Sequence, residues 1–301
     1  MEVKKLVKKS IGQRTLLTDV FGFVLVKLRF ADKYLAGQLT MYHAYDWLQR
    51  RYNSRIPNVI PRVQGRKAKD IIWICWLQGI ENAPDLVKCC FRSVIANKGK
   101  FTVKVIDKSN FDEYVNFPGY IVKKWRTGII PNALFSDLLR LELLIKNGGL
   151  WMDATVLLSG GVPNYILSSD LFLYRNGNQN KDMINIGNWL IYSKKSNNPL
   201  LVMVRDMLYL YWHENNYVKN YFIFHMFFRM ITDKFPELLE HMIPVNQINQ
   251  HLLMNDLNHI YSNERYKDIT ELTNVHKLTY KGIDYSVENS TFQYILDSYS
   301  E

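Results

Sequence analysis

A strand–helix–strand pattern in residues 71–107 constrains the fold of this chain more than any other feature. The apolar run IIWICWLQG (71–79) has the length of a buried strand and ends in glycine. The segment PDLVKCCFRSVIANKG (84–99) predicts a helix, because proline is favoured at a helix start and glycine just after its end. The segment FTVKVID (101–107) alternates as a strand does. This order predicts the βαβ unit of an open parallel sheet.

The rest of the chain extends this α/β plan. The further predicted strands are 150–158 and 188–195, and the further predicted helices are 132–149, 198–215 and 217–235. With 301 residues the chain is long enough for one large domain or two small ones. The segment 55–70 is rich in proline, glycine and charge, so we predict a boundary there between residues 1–70 and a domain over 71–301.

The positive charge of the chain lies almost entirely at the N-terminus. Residues 1–70 contain 15 Lys/Arg and 5 Asp/Glu, whereas residues 71–301 contain 23 of each. The apolar run 20–26 is too short to cross a bilayer, which needs about 20 residues. We predict a basic helical segment that is either packed on the domain or attached to an anionic membrane surface, where each Lys/Arg contributes about 1 kcal/mol. Nucleic-acid binding is a weaker option, because no nucleic-acid motif is present.

The cysteines and the N-terminus indicate where the protein works. Cys75, Cys89 and Cys90 form neither a disulfide framework nor a metal-ligand spacing, which fits a reducing cytoplasm. No small-residue cleavage site follows the N-terminal apolar run, so we do not expect a secretory signal.

Two charged residues of the predicted helix 132–149 lie where an apolar core is expected. At about 100° per residue, Asp137 and Arg140 fall on the face opposite to Glu142 and Lys146. We take Glu142 and Lys146 as the solvent side, so Asp137 and Arg140 point inward. A buried charge costs several kcal/mol unless it is paired. The two residues therefore form either a structural ion pair or a binding site, for which arginine suits phosphate or sugar hydroxyls.

A third charge interrupts the predicted strand 150–158. Asp153 and Thr155 lie two residues apart, so both are predicted to face the same side of the strand. Gly148 and Gly149 would close the preceding helix tightly and bring it against this strand. Because ligands of open α/β sheets bind outside the carboxyl ends of the strands, we predict that the three charges converge on one crevice.

Six pieces of the sequence occur in an order that resembles a known family. They are WLQG (76–79), VKCCFRSV (87–94), VID (105–107), FSDLLRLELLIKNGGLWMDATV (135–156), YFIFH (221–225) and HKLTYK (276–281). The chain resembles the capsular polysaccharide synthesis family, which is related to glycosyltransferases with the DXD sugar-binding region. The block 135–156 is the specific part, and the likeness extends over residues 70–285.

The resemblance implies a fold and a reaction. The fold would be of glycosyltransferase A type, a Rossmann-like mixed sheet with added N- and C-terminal helices, and residues 71–301 would be its catalytic domain. The reaction would transfer a sugar, with retained configuration, from a nucleotide-diphosphate sugar that we expect to be UDP-linked. The acceptor would be a polysaccharide or a lipid-linked oligosaccharide at the inner leaflet. We therefore expect a cytoplasmic protein, peripheral at the membrane, and no nucleic-acid partner.

The resemblance also assigns roles to individual residues. Asp137 would bind ribose or donor-sugar hydroxyls, Arg140 the donor sugar, and Asp153 the diphosphate or its metal; these three are the catalytic candidates. His225 is a candidate on the acceptor side. The further donor-binding candidates are Trp76, Gln78, Asp107, Thr155, His276, Lys277 and Lys281.

The expectation of a metal starts from a departure from the family pattern. Relatives with the full signature carry two aspartates separated by one residue, and here Thr155 stands at the second position. A hydroxyl is a poorer ligand than a carboxylate for Mn²⁺ or Mg²⁺. We expect Asp153 and His276, with the donor's phosphates, to hold such an ion weakly. The metal-free alternative is neutralisation of the diphosphate by Arg140, Lys277 and Lys281.

Three other functions compete with glycosyl transfer. Transfer of a sugar phosphate would need similar contacts to the diphosphate. A non-enzymatic basic module for membrane or nucleic acid would leave the inward-facing charges without a reason. A dinucleotide oxidoreductase is disfavoured, because no G-x-G-x-x-G follows the first predicted strand.

Overall fold

The computed structural model describes residues 11–12, 16–177 and 184–300. The first lysines of the basic segment, at positions 4, 5, 8 and 9, lie outside the described residues. The strands are β1 (Ile71–Cys75), β2 (Thr102–Ile106), β3 (Gly149–Asp153), β4 (Val156–Leu158), β5 (Leu171–Arg175), β6 (Ile186–Ser193) and β7 (Val275–Lys277).

Helices precede, separate and follow these strands along the chain. Before and between β1 and β3 they are α1 (Leu16–Lys27), α2 (Lys33–Tyr52), α3 (Asp85–Asn97), α4 (Phe111–Tyr114), α5 (Gly119–Arg126) and α6 (Asn132–Asn147). After β4 they are α7 (Asn164–Leu167), α8 (Pro199–Glu214), α9 (Ile223–Lys234), α10 (Ile248–Asp256), α11 (Asn263–Leu272) and α12 (Thr291–Ser298).

Five of the strands form the central sheet, in the order β2-β1-β3-β6-β5. Strand β1 pairs in parallel with both β2 and β3, which confirms the predicted βαβ unit. Strand β6 pairs antiparallel with β3, and β5 pairs antiparallel with β6. The predicted mixed α/β sheet with helices at both ends is therefore confirmed.

The sheet is covered on both faces because its strand residues alternate between two cores. Trp73 of β1 and Trp151 of β3 face one core, in which α2, α6, α8 and α9 pack. Ile74 of β1 and Met152 of β3 face the other core, which receives Val87 of α3. The structure therefore has three layers, with the sheet between two layers of helices.

The second helix belongs to the same core as the residues after position 70. Ala44, Leu48 and Tyr52 of α2 are fully buried, and the ring of Tyr52 packs at 5.6 Å, edge to face, on Phe227 of α9. The predicted domain boundary near residue 70 stays a prediction. No helix in the described part of the chain is long and apolar enough to cross a membrane.

The glycine pair after α6 does what the sequence predicted. Gly148 and Gly149 have φ values of 66° and 96°, which favour glycine. A Cβ atom on Gly149 would lie 2.7 Å from the carbonyl oxygen of Ile71 in the neighbouring strand. The helix and the sheet can approach this closely only because these two positions carry no side chain.

Two predicted elements differ from the structure. The predicted strand 150–158 is broken by a turn at Ala154 and Thr155, and its second half, β4, pairs with β7 in a separate two-stranded sheet. The predicted helix 217–235 begins only at Ile223, as α9. In each segment polar residues interrupt the apolar run near the break, Asp153 and Thr155 in one and Lys219 and Asn220 in the other, and the predicted element continues through them.

Candidate functional site

A cavity of about 620 Å³ opens at the carboxyl ends of β1 and β3. Its walls come from the loop after β1, the first half of α6, the turn between β3 and β4, and the segment from β7 to residue 281. The cavity lies where ligands of open α/β sheets bind. Asp137, Arg140 and Asp153 meet at its floor, so the structure brings the three inward charges together.

One guanidinium group holds both carboxylates of the floor. An Nη atom of Arg140 lies 3.2 Å from Oδ1 of Asp137 and 3.4 Å from Oδ1 of Asp153. The Arg140 side chain is 6% exposed, and its Cζ atom lies 4.9 Å from the centroid of the Trp151 ring. The indole Nε1 of Trp151 in turn donates a hydrogen bond of 3.1 Å to Asp153. Arg140 is thus fixed by two ion pairs and a cation–π contact.

Asn188 of β6 completes the floor, and sequence analysis missed it. Its Nδ2 donates to Oδ1 of Asp137 at 2.9 Å, and its backbone carbonyl accepts a hydrogen bond from the guanidinium of Arg140. The signal available in the sequence was a single amide at the start of the apolar strand NWLIY. A lone amide in a strand is common, so this signal alone does not identify a site.

Lys277 of β7 adds a second cation to the cluster. Its Nζ donates to Oδ2 of Asp153 at 3.0 Å and to the hydroxyl of Thr155. Asp153 and Thr155 were predicted to share one face of a continuous strand. Instead Asp153 ends β3 and Thr155 lies in the turn that follows, and Lys277 contacts both side chains.

His276, the neighbour of Lys277, does not line the cavity. Because side chains of a strand alternate, His276 points to the opposite face, where it is 0% exposed. Its Nε2 lies 2.9 Å from the hydroxyl of Ser159, and burial lowers its pKa to about 4. The expected pair of Asp153 and His276 around a metal ion therefore gains no support from their positions.

The pKa values of the two carboxyl groups of the floor are shifted in opposite directions. Burial raises the pKa of Asp137 to about 6, although Arg140 opposes this shift. Burial also acts to raise the pKa of Asp153, but the charges of Lys277 and Arg140 outweigh it and leave the pKa below its ordinary value. Asp153 is thus ionised at neutral pH, whereas Asp137 titrates only slightly below it.

Of the three donor-binding candidates that follow β1 and β2, two line the cavity and one does not. Trp76 and Gln78 line the cavity, and the Trp76 ring packs edge to face on Tyr280, at 5.7 Å between centroids. Asp107 does not line it. The carboxylate of Asp107 instead accepts hydrogen bonds from the backbone amide and hydroxyl of Ser109 and so caps its own loop.

The remaining two candidates line the cavity from other elements. Lys281 is exposed at the rim, with its Nζ 5.8 Å from the centroid of the Tyr280 ring. His225 of α9 is buried, and burial lowers its pKa to about 3, so its imidazole is neutral at physiological pH. The Nδ1 atom of His225 has no hydrogen-bond partner among the described residues.

The face of α6 that we took as the solvent side is only half exposed. Lys146 is exposed, but Glu142 accepts a hydrogen bond of 2.8 Å from the hydroxyl of Tyr209 and lies 3.5 Å from Arg205. Both partners belong to α8, which packs along α6. The helix therefore carries buried charges on two sides, and only Asp137 and Arg140 face the cavity.

The floor does not fit a divalent metal ion. Both oxygens of Asp153 already have cationic or N–H partners, and Asp137 shares Arg140 with it. No group of three or more His, Cys, Asp and Glu side chains within residues 11–12, 16–177 and 184–300 could hold a metal ion. The charges at this place are balanced within the protein, two against two.

The solved structures that are similar to this chain include transferases. The PaToxG glycosyltransferase is 17% identical over 66% of this chain and 82% of its own, with a TM-score of 0.40. A cysteine-to-serine mutant of a transferase is 13% identical over 72% of this chain and 95% of its own, with a TM-score of 0.36. The apo-form glycosyltransferase GlyE of Streptococcus pneumoniae is 10% identical over 77% of this chain and 63% of its own, with a TM-score of 0.35.

The comparison with protein families is the informative one. No curated protein matches this chain. The family described as capsular polysaccharide synthesis protein matches residues 28–296, which include α2, the whole central sheet and the cavity. The match extends beyond residues 70–285, over which the likeness was predicted. This chain therefore belongs to the capsular polysaccharide synthesis family.

Proposed function

We propose that this protein is a glycosyltransferase that moves a sugar from a nucleotide-diphosphate sugar to a growing surface polysaccharide or its lipid-linked precursor. The observation that carries the proposal is the cluster of four paired charges at the floor of the cavity, Asp137, Arg140, Asp153 and Lys277. Family membership agrees with it. A cavity of about 620 Å³ is within the usual size range of small-ligand and cofactor sites.

The cluster suits a reaction in which negative charge develops on a leaving diphosphate. In glycosyl transfer the bond between the anomeric carbon and the phosphate oxygen breaks, and its electron pair stays on the diphosphate. The acceptor hydroxyl oxygen forms the new bond to the anomeric carbon, and its proton passes to the departing phosphate oxygen. A cation held at that oxygen, here Lys277, stabilises the transition state more than the ground state, and Lys281 adds a second positive charge at the rim.

The carboxylates and Asn188 suit the sugar and ribose hydroxyls. Asp153 is ionised, so it accepts hydrogen bonds, while Arg140 donates from a fork whose position is fixed by Trp151. Such a rigid set of donors and acceptors holds the anomeric carbon near the acceptor, which is the protein's second contribution to the rate. We place the nucleoside at Trp76, Gln78 and Tyr280, with UDP as the expected donor nucleotide.

We propose that His225 contacts the acceptor. It lies in the wall on α9, it is neutral, and its buried Nδ1 has no hydrogen-bond partner among the described residues. A neutral imidazole can donate with one nitrogen and accept with the other. We propose that His225 orients the acceptor hydroxyl rather than acting as a strong base, since a group with so low a pKa removes protons poorly.

Product analysis tests the reaction directly. Incubation with a panel of nucleotide sugars should release the nucleoside diphosphate, whereas sugar-phosphate transfer would release the monophosphate. Asp137→Asn should remove this turnover. The matched control is Glu142→Gln, which changes an acid of the same helix that lies outside the cavity. Normal turnover in Asp137→Asn, or monophosphate as the product, would overturn the proposal.

We further propose that the enzyme works at an anionic membrane surface, to which α1 and the residues after it bind. Leu17, Phe21 and Phe23 of α1 are 88%, 56% and 67% exposed. We call the full set the N-terminal apolar surface. Its members are Leu17, Val20, Phe21, Phe23, Val24, Leu28, Phe30, Tyr34 and Leu35.

The other side of α1 is held by α2, so the exposure is a property of the folded hairpin. Gly22 is buried against Ala36, and the hydroxyl of Thr40 donates to Asp19 at 3.0 Å. Asp19 is the acidic residue of α1, and this contact directs it away from the apolar surface. At 1.5 Å per residue the 12 residues of α1 span about 18 Å, well short of the bilayer core of about 30 Å.

Charge favours lipid over a second copy of the chain as the occupant. Lys27, Arg29 and Lys33 are exposed among the apolar residues. On an anionic leaflet each contributes about 1 kcal/mol, and the aromatic side chains insert beside them. In a symmetric dimer this basic patch would face a second copy of itself, so like charges would be brought together.

Sedimentation with phosphatidylglycerol vesicles tests this attachment. We expect the protein to sediment with these vesicles and not with phosphatidylcholine vesicles. Phe21→Glu with Phe23→Glu should abolish binding even at low salt, because a carboxylate opposes both insertion and the anionic surface. Tyr285→Glu, at a side chain that is 79% exposed elsewhere, is the matched control. Vesicle binding unaffected by the phenylalanine changes, or a dimer without vesicle binding, would contradict the attachment.

A further inference from the structure

We propose that the ammonium group of Lys277 replaces the divalent cation of relatives that carry two aspartates, so that this protein binds the diphosphate without metal. The inference rests on the proposed function for its biological meaning, but its test concerns only the binding of a diphosphate. The observation behind it is the position of the Lys277 Nζ, between Asp153 and Thr155 at the floor of the cavity.

The pairing of β4 with β7 fixes Lys277 at this point. Lys277 lies directly opposite Val156, the residue after Thr155, and the backbone amide of Leu278 donates to the carbonyl of Thr155 at 2.9 Å. The lysine therefore reaches Asp153 from an ordered strand and not from a loop. A different side chain at residue 277 would face the same place, which makes this position a suitable one to exchange.

Neither carboxylate oxygen of Asp153 is without a cationic or N–H partner that a metal ion would have to stand beside or displace. Its Oδ1 accepts from Trp151 at 3.1 Å and faces Arg140 at 3.4 Å, and its Oδ2 faces Lys277 at 3.0 Å. A divalent ion bound here would displace Lys277 and stand beside Arg140, so two like charges would be brought together. The neutral hydroxyl of Thr155 offers little compensation, since such ions favour anionic oxygen.

The ammonium group keeps one donor for the ligand. A lysine ammonium has three N–H donors, of which Asp153 takes one and Thr155 another. The Lys277 side chain is 20% exposed and lines the cavity, so the third donor is available to a phosphate oxygen there. Thr155 thus has a defined part, which is to hold the lysine where the second aspartate of relatives would hold an ion.

Calorimetric titration with inorganic pyrophosphate tests the proposal without any knowledge of the donor. We expect equal affinity in EDTA and in Mn²⁺ for the wild-type protein, and no binding of Mn²⁺ alone. Lys277→Met should lower the affinity for pyrophosphate by roughly tenfold to a hundredfold, which is the usual contribution of a hydrogen bond to a charged group. The matched control is Lys267→Met, at an exposed lysine paired with Glu271. Loss of wild-type binding in EDTA, or a micromolar Mn²⁺ site, would overturn the proposal.

A double variant should convert the site from metal-independent to metal-dependent binding of pyrophosphate. Thr155→Asp combined with Lys277→Ala supplies the second carboxylate and removes the ammonium, so we expect pyrophosphate binding that requires Mn²⁺. Should this double variant fail to fold, the comparison of wild-type protein in EDTA and Mn²⁺ still decides. Pyrophosphate binding through Lys277 without sugar transfer from any nucleotide sugar would reject the proposed function and leave this inference intact.

Discussion

The floor of the cavity and the N-terminal apolar surface both depart from the usual distribution of polarity in a protein. The floor has charged side chains in the interior, whereas the N-terminal surface has apolar side chains exposed to solvent. Asp137 and Arg140 are charged and buried, whereas Phe21 and Phe23 are apolar and exposed. At the floor every charge has a partner inside the protein, at distances of 3.0 to 3.4 Å. The aromatic side chains of α1, in contrast, are exposed to solvent.

The difference indicates what each region needs in order to be complete. Burying a charge costs several kcal/mol, so the partners must already be present in the folded chain. Exposing an apolar side chain costs little in one molecule, but a contiguous exposed patch marks an interaction surface. The charged groups of the floor are therefore in position before a ligand binds. The N-terminal apolar surface, in contrast, is buried only when another surface covers it. Four changes test this contrast, from the largest expected effect to the smallest.

Arg140→Ala should have the largest effect on stability. It leaves Asp137 and Asp153 buried without their shared cation, and breaking a buried pair in this way costs about 3–5 kcal/mol. Urea unfolding followed by circular dichroism measures it. Arg50→Ala, at an exposed ion pair with Asp46, is the control and should change the free energy of unfolding by no more than about 0.5 kcal/mol. Equal small effects would mean that the floor is not a tightly paired cluster.

Asp137→Asn should remove a pH dependence from the stability of the protein. The folded protein raises the pKa of Asp137 to about 6 from an ordinary value of 3.8, so the wild-type carboxyl contributes most below pH 4 and loses that contribution as the pH rises through 6. Relative to the variant, the wild type should lose about 2–3 kcal/mol between pH 4 and pH 7.

Urea unfolding at several pH values gives this difference. Burial lowers the pKa of His225 and of His276, which makes the protein less stable as the pH falls from about 6.5. This effect is common to wild type and variant, so it cancels in the difference between them. A flat difference curve would show that Asp137 is not desolvated as the structure indicates.

Tyr209→Phe should have a moderate effect on stability and none on turnover. The change removes a hydrogen bond of 2.8 Å to Glu142, which stays partly buried beside Arg205, so we expect a loss of about 1–2 kcal/mol. Turnover should not change, because this side of α6 faces α8. A parallel loss of activity would indicate that both charged sides of the helix act on the site.

Phe21→Ser and Phe23→Ser should have the smallest effect on stability. Surface substitutions away from packed contacts usually change the free energy of unfolding by no more than about 0.5 kcal/mol. Thermal unfolding without vesicles measures it, with vesicle binding as the parallel readout. A loss of several kcal/mol would mean that these side chains pack within the chain and that the surface is not free to bind lipid.

The sequence by itself determined the features that depend on local periodicity. Alternation and apolar runs predicted β1, α3 and β2 in the right order, and the 3.6-residue period placed Asp137 and Arg140 inward. The glycine pair after α6 was readable for the same reason, since a positive φ is a property of one residue and its neighbours. The family followed from the block of residues over 135–156.

The tertiary structure alone decided which partner each of these side chains meets. Asp153 and Lys277 are 124 residues apart in sequence, and nothing in the periods of their strands indicates that β4 and β7 pair. One residue of register decides that Lys277 enters the cavity and His276 leaves it, because neighbouring side chains of a strand face opposite sides. Asn188 joins Asp137 only because β6 runs beside β3. A local pattern states that a charge is buried, but the residue that neutralises it is fixed by long-range packing.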